Sequence, residues 1–369
     1  MAWTERYVTP AGAGANNGTS EANAWTLAQA AAAVAAGHRL NIKAGTYSIA
    51  STLSFSFAGT SSAPIAMRGY KTTIGDLDSQ PASQRVSGTD TPLFSIAGGD
   101  YFINLTGSNV ESITNIDFLT TVNARPALYL QCTTGRVVRC RFRHEGSSPT
   151  SQCLYTIAIP AYFQECYFYI NSTSQSLVKE GSAVNMYFDS CVFVGGNVGV
   201  SGSTGTTNAL HCIFNGQSAS AILASSGRIV AENCTIHNTV DGLKATSSSA
   251  LINAKRCYFS TISGYAINNS SGTSVPFVVA SECAYYSVTA RANGASEFAD
   301  QYSVTDSTDP FVNAGTGDFT LLSGSNAAGG EILFECVGPT TTRSIGAVQS
   351  GGSGGTSRPS HPMYQQVIG

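Results

Sequence analysis

Between residues 140 and 283 a cysteine returns every 21 to 26 residues, and each time a large apolar residue stands two places after it. The cysteines are Cys140, Cys166, Cys191, Cys212, Cys234, Cys257 and Cys283, and their followers are Phe142, Phe168, Phe193, Phe214, Ile236, Phe259 and Tyr285. A step of two puts both side chains on one face of a strand. Three residues before each cysteine comes another apolar or small residue: Val137, Phe163, Phe188, Ala209, Ala231, Ala254 and Ala280. A strand, a two-residue polar corner and a second strand opening at the cysteine would send all of these inward. Segments such as 127–130, 198–200, 221–223, 242–244 and 265–267 supply a third strand to each turn. Helical repeats of this length would need a 3.6-residue apolar period, and none is present. The expected fold is therefore all-β: a single-stranded right-handed parallel β-helix with an N-terminal capping helix. Residues 40 to 300 would make about 11 coils, a rod on the order of 50 Å at roughly 4.8 Å per rung.

Composition agrees with short strands and excludes several classes. Charged residues are 11% of the 369, against about 25% in ordinary globular chains. With 42% hydrophobic residues the chain can bury a core and is not a disordered polymer. A net charge of −3 gives no field for nucleic acid, and no apolar run approaches the roughly 18 residues that insert into a membrane. Met1 to Pro10 shows no secretory pattern, so release from a host cytoplasm onto a virion surface is expected, with an extracellular site as the alternative. Ten cysteines, one per coil in the repeat, lack the close pairs of a metal site and the torsion of a disulfide. They read as buried thiols used as small hydrophobes, with no metal and no cofactor.

Four segments follow: a cap with the first coils (1–80), β-helix coils (81–295), closing coils (296–349), and a Gly-rich linker with an extended tail (350–369). The cap holds Tyr7 to Pro10, a Gly/Asn-rich loop, a helix expected over Trp25 to Ala36 and ended by Gly37, and a strand over Arg39 to Lys43. Gly45-Thr46-Tyr47 and Pro64-Ile65 with Arg68-Gly69-Tyr70 come next, and near the end Asp309 to Leu321 and Arg343 to Val348. In these residues the chain resembles the pectate-lyase-like right-handed parallel β-helix proteins over about 7–349. Ser325 to Gly330 departs from the closing pattern common in that family. The resemblance implies the fold; its members include lyases, hydrolases, adhesins and viral spikes, so it does not select an activity.

Lyases of this fold use a Lys or Arg base with acidic groups, and glycosidases need paired carboxylates. Neither constellation stands out, and no catalytic residue is assigned. Glu165, Asp189, Glu232 and Glu282 sit at the corners before cysteines, where Glu232 with Lys255 and Arg256 with Glu282 are expected as exposed ion pairs. Asp241-Gly242-Leu243-Lys244 is the most lyase-like cluster and is expected to be a turn entering a strand. The outward positions after cysteine are unusual: Tyr167, Tyr169, Val192, Val194 and Ile213 form an apolar stripe, bordered by Arg136, Arg139, Arg141 and Arg143. Such a stripe is either a partner surface or covered by a loop, and side-by-side association is favoured. Met363, Tyr364, Val367 and Ile368 in the tail are expected to anchor it on a neighbouring subunit. The sequence thus points to a non-enzymatic structural or adhesive virion protein, a bacteriophage spike, fibre or capsid-decorating protein. It would contact itself as a homotrimer, other virion proteins and host-surface polysaccharide. The alternative is a polysaccharide lyase or glycoside hydrolase acting on an extracellular polysaccharide.

Overall fold

The computed structural model describes residues 2–321, apart from 81, 83–84, 99–102, 124–125, 147–151, 158–160, 183, 271–277, 294–297, 302, 310 and 315–317. Three parallel ladders run along it. One, the pre-cysteine face, begins with Thr4–Val8 and His38–Lys43 and ends with Phe298–Gln301. A second, the cysteine face, stacks Gly45–Ser48, Pro92–Ile96, Asp117–Thr120, Arg141–His144, Tyr167–Ile170, Val192–Gly195 and Ile213–Asn215, continuing to Val304–Thr305. The third face runs from Leu53–Ala58 to the end of the strand Ala284–Asn293. The protein is a parallel β-helix, as expected. Some turns are far longer than the cysteine interval: Tyr47 pairs with Phe94 and Met67 with Ile113, so residues 71–91 are an insertion that adds no coil.

The corner is a single left-handed residue. Asn115, Arg139, Glu165, Ser190, His211, Asn233, Arg256 and Glu282, each one before the cysteine position, all have φ between 51° and 59°. A second left-handed column, Gly195, Gly216, Asn238, Thr261 and Ser287, turns the chain off the cysteine face. Glycine and asparagine enter this region at low cost; arginine and glutamate do so only where stacking on both sides holds them.

All nine described cysteines are free and buried. They do more than fill space. The Cys166 thiol lies 3.4 Å from the carbonyls of both Gln164 and Val137, and Cys234 lies 3.3 Å from the Ala209 carbonyl, so the thiols of the 140–283 repeat cap carbonyls at the corner of their own coil and the coil before. Burial pushes the Cys132 thiol up to about 12 and raises those of Cys140, Cys191, Cys234 and Cys257 as well, which keeps them protonated and able to donate.

Two residues past the cysteines the phenyl rings stack coil on coil. Phe118, Phe142, Phe168, Phe193 and Phe214 stand 5.2, 5.1, 4.8 and 4.5 Å apart, with ring planes within 13°. Phe163 and Phe188 form a second stack at 5.1 Å whose edges meet the first. At the N-terminal end a helix over Leu27–Ala33 seats Leu27 and Ala30 in the same core. It is shorter than the expected 25–36: Thr26 caps its start through a reciprocal box with Gln29, and Val34 is already extended.

Candidate functional site

The outward stripe is bounded by chain on two sides. At its N-terminal end the insertion 71–91 is bolted down by two arginines. Arg85, 3% exposed, donates to the Asn115 side chain at 3.1 Å and to the carbonyls of Arg139, Leu77 and Gln80. Arg141 sends Nε to Asp117 Oδ1 at 2.9 Å and Nη1 to the Arg85 carbonyl at 2.7 Å, while Asp117 Oδ2 accepts from Ser87 and Thr91, both at 2.6 Å. Arg141 is therefore a buried structural charge and not the accessible contact residue expected from the sequence.

At the other end a hairpin, Phe311–Asn313 with Asp318–Leu321, folds back over the cysteine face. Phe311 and Phe319 pack on Tyr258, Ala284 and the His237 ring, with Ile213 and Tyr286 at the edge. The loop-cover reading holds for this end of the stripe, down to Ile213. Burial against the two phenyl rings lowers the His237 pKa, and the nearby Asp309 charge pulls the other way. A depressed folded value means the unfolded chain binds the proton more readily, so this contribution to stability is present above the ordinary histidine value of about 6.5 and is lost as pH falls below it. Amide exchange across 311–321 is expected to speed up between about pH 7.5 and pH 5, and His237→Gln should flatten that dependence. Equal slopes in the two proteins would remove His237 as the cause.

Between the two covers lies an open groove of about 460 Å³ lined by Arg141, Arg143, Glu145, Tyr167 and Tyr169. Register places Arg143, Tyr169, Val194 and Asn215 in one outward column and Arg141, Tyr167, Val192 and Ile213 in the next. Arg143 reaches Glu145 at 2.5 Å and Ser87 Oγ at 3.0 Å, and its Nε has no hydrogen-bond partner among the described residues. Burial pushes the Tyr167 phenol up, its neighbour Tyr169 adding to the shift and the Arg143 and Arg141 charges opposing it. The groove thus offers one guanidinium that can exchange Glu145 for a ligand carboxylate, and two phenols beside it.

Other sequence candidates resolve into structure. Asp241 is buried within the strand Asp241–Ala245, not in a turn, and accepts from Lys244 Nζ at 3.0 Å, Asn268 Nδ2 at 2.8 Å and the Tyr265 amide at 3.2 Å. Glu232 takes its ion pair from Arg256, which stands 4.0 Å from Glu282; no ion pair joins Glu232 to Lys255 among the described residues. Arg139 lies 3.6 Å from Glu165. No group of histidine, cysteine and carboxylate ligands suited to a metal occurs among the described residues. Met363, Tyr364, Val367 and Ile368 lie outside those residues.

No family model matches this chain, and no curated protein matches it in sequence. Solved structures do. A pectate lyase, Pel9A, superposes with a TM-score of 0.57 at 16% identity, over 94% of this chain and 96% of its own. The fold is that of the pectate-lyase-like parallel β-helices. A mannuronic-acid-specific polysaccharide family 6 lyase from human gut microbiota gives a TM-score of 0.49 at 10% identity, over 81% of this chain and 78% of its own. At these identities the likeness concerns the β-helix and not its chemistry.

Proposed function

We propose that this β-helix is a polysaccharide lyase acting on an extracellular anionic polysaccharide, bound across Arg143, Tyr167 and Tyr169. The observation that carries the proposal is the content of the groove: two guanidiniums, of which Arg141 is tied to Asp117 and Arg143 faces the groove, two phenols and a single carboxylate. A glycosidase needs two carboxylates flanking the bond, and the groove lining holds one. Elimination needs different groups. A cation pairs with the uronate carboxylate and acidifies the adjacent C–H; a base takes that proton; an acid protonates the departing glycosidic oxygen as the C–O bond breaks and a C=C bond forms. Arg143 fits the first role and Tyr167, held protonated, the last. Tyr169, in the same column as Arg143, fits the role of base in its phenolate form.

Incubation with acidic and neutral polysaccharides, reading unsaturated ends, is expected to show turnover of acidic polymers only. Tyr169→Phe and Arg143→Ala should each lower kcat/KM by about 10²-fold or more with little change in melting temperature. Binding without turnover on every polymer would sink the lyase reading. It would return the sequence expectation of an adhesive virion component, homotrimeric or joined to other virion proteins. One observation favours that second reading: the other two faces carry half-buried tyrosine pairs, Tyr129 with Tyr155 at 5.3 Å and Tyr162 with Tyr187 at 4.5 Å, suited to contact between rods.

A further inference from the structure

A second cleft, of about 540 Å³, follows the corner by which the chain leaves the cysteine face, from Gly216 to Thr289. Its exposed lining is Ser218, Asn238, Thr261, Ser263, Ser287 and Thr289, with Val240, 41% exposed, set among them. Among the described residues no lining side chain carries a charge, in contrast to the Arg143 groove. The two are neighbours. The column Arg143, Tyr169, Val194, Asn215 spans three rungs, about 14 Å, and Gly216 follows Asn215 directly into the cleft. Past Ile213 the flat of the face is occupied by the hairpin on Tyr258 and His237, so a polymer running along the rod from Arg143 leaves the face at this corner.

We infer that this corner cleft holds uncharged hexose residues of the same polysaccharide, so the substrate is a heteropolymer in which acidic units are separated by neutral ones. The inference rests on the lyase reading for the acidic unit alone. Hydroxyl and amide side chains satisfy sugar hydroxyls without charge, and an exposed aliphatic side chain among them meets the apolar face of a pyranose ring. A uronate residue placed here would have no cation to offset its desolvation.

The test pairs turnover with binding. Wild-type protein is expected to cleave gellan, where glucuronate is separated by neutral glucose and rhamnose, with kcat/KM about tenfold above that for polyglucuronate. The double variant Val240→Glu with Ser263→Glu should bring this ratio to about one, leaving polyglucuronate unchanged. Neutral cellotetraose, followed by NMR shifts, should bind the wild type in the millimolar range and the variant at least tenfold more weakly. A gellan preference that survives in the variant, or cellotetraose that shifts no resonance, overturns the inference. If neither polymer is cleaved but cellotetraose binds the wild type and not the variant, the lyase reading falls and the neutral cleft stands.

Discussion

Asp117→Ala is expected to cost about 3–5 kcal/mol of stability, more than any substitution on the outer surface. Asp117 is 1% exposed and is the carboxylate partner of the buried Arg141 guanidinium, while also accepting from Ser87 and Thr91. Its removal leaves a nearly buried charge without its counter-charge, together with two hydroxyls whose acceptor is gone. Asp117→Asn keeps acceptor geometry and should cost less. Asp117→Ala combined with Arg141→Met should recover most of the loss, because replacing both ions of a buried pair by apolar groups is often close to neutral. Denaturant midpoints of the three proteins check this. If Asp117→Ala and the double variant unfold together, the pair is not what holds the insertion. Loss of the anchor should also free Ser87, which bonds Arg143, and so lower turnover beyond the effect on folding.

The fold was legible because a solenoid repeats its local rule. Cysteine at one position and phenylalanine two later fixed the inward face and the outward columns of every coil from 140 onward, and the register agrees residue for residue at Phe142, Phe168, Phe193 and Phe214. The rule also held one coil earlier in disguise. Asn115-Ile116-Asp117-Phe118 is the same motif with isoleucine in the cysteine place, so Asp117 falls directly beside Arg141. That signal was available and would have removed Arg141 from the accessible group. Other features could not be read from local pattern. The insertion 71–91 and the hairpin at 311–321 return to a face laid down by distant coils, and the contacts of Arg85 with Arg139 or of Phe311 with Tyr258 span 54 and roughly fifty residues of chain. Corner residues with positive φ include Arg139 and Glu165, poor intrinsic choices, because stacking on both sides decides the backbone there and not propensity.

Phe168→Ala is expected to destabilise by about 3–5 kcal/mol, and by more than the same change at Phe214. Phe168 has a stacked ring on each side, Phe142 at 5.1 Å and Phe193 at 4.8 Å, and meets the edges of Phe163 and Phe188. Phe214 ends the stack, with Phe193 as its single phenyl neighbour among the described residues. Removing the central ring opens a cavity that backbone cannot close, since each coil is tied by its ladder to the coils above and below. Stability in a solenoid is nearly a sum over neighbouring repeats, so the loss should stay local: faster amide exchange in the strands at 141–144, 167–170 and 192–195, with little change at the helix 27–33. The neighbours of Phe168 on its own strand are Tyr167 and Tyr169, so the same variant should blur the groove before the rod unfolds. A Phe168→Ala protein with wild-type exchange in those strands, or with losses spread evenly along the rod, would show that the phenyl stack is not what sets the geometry of the groove.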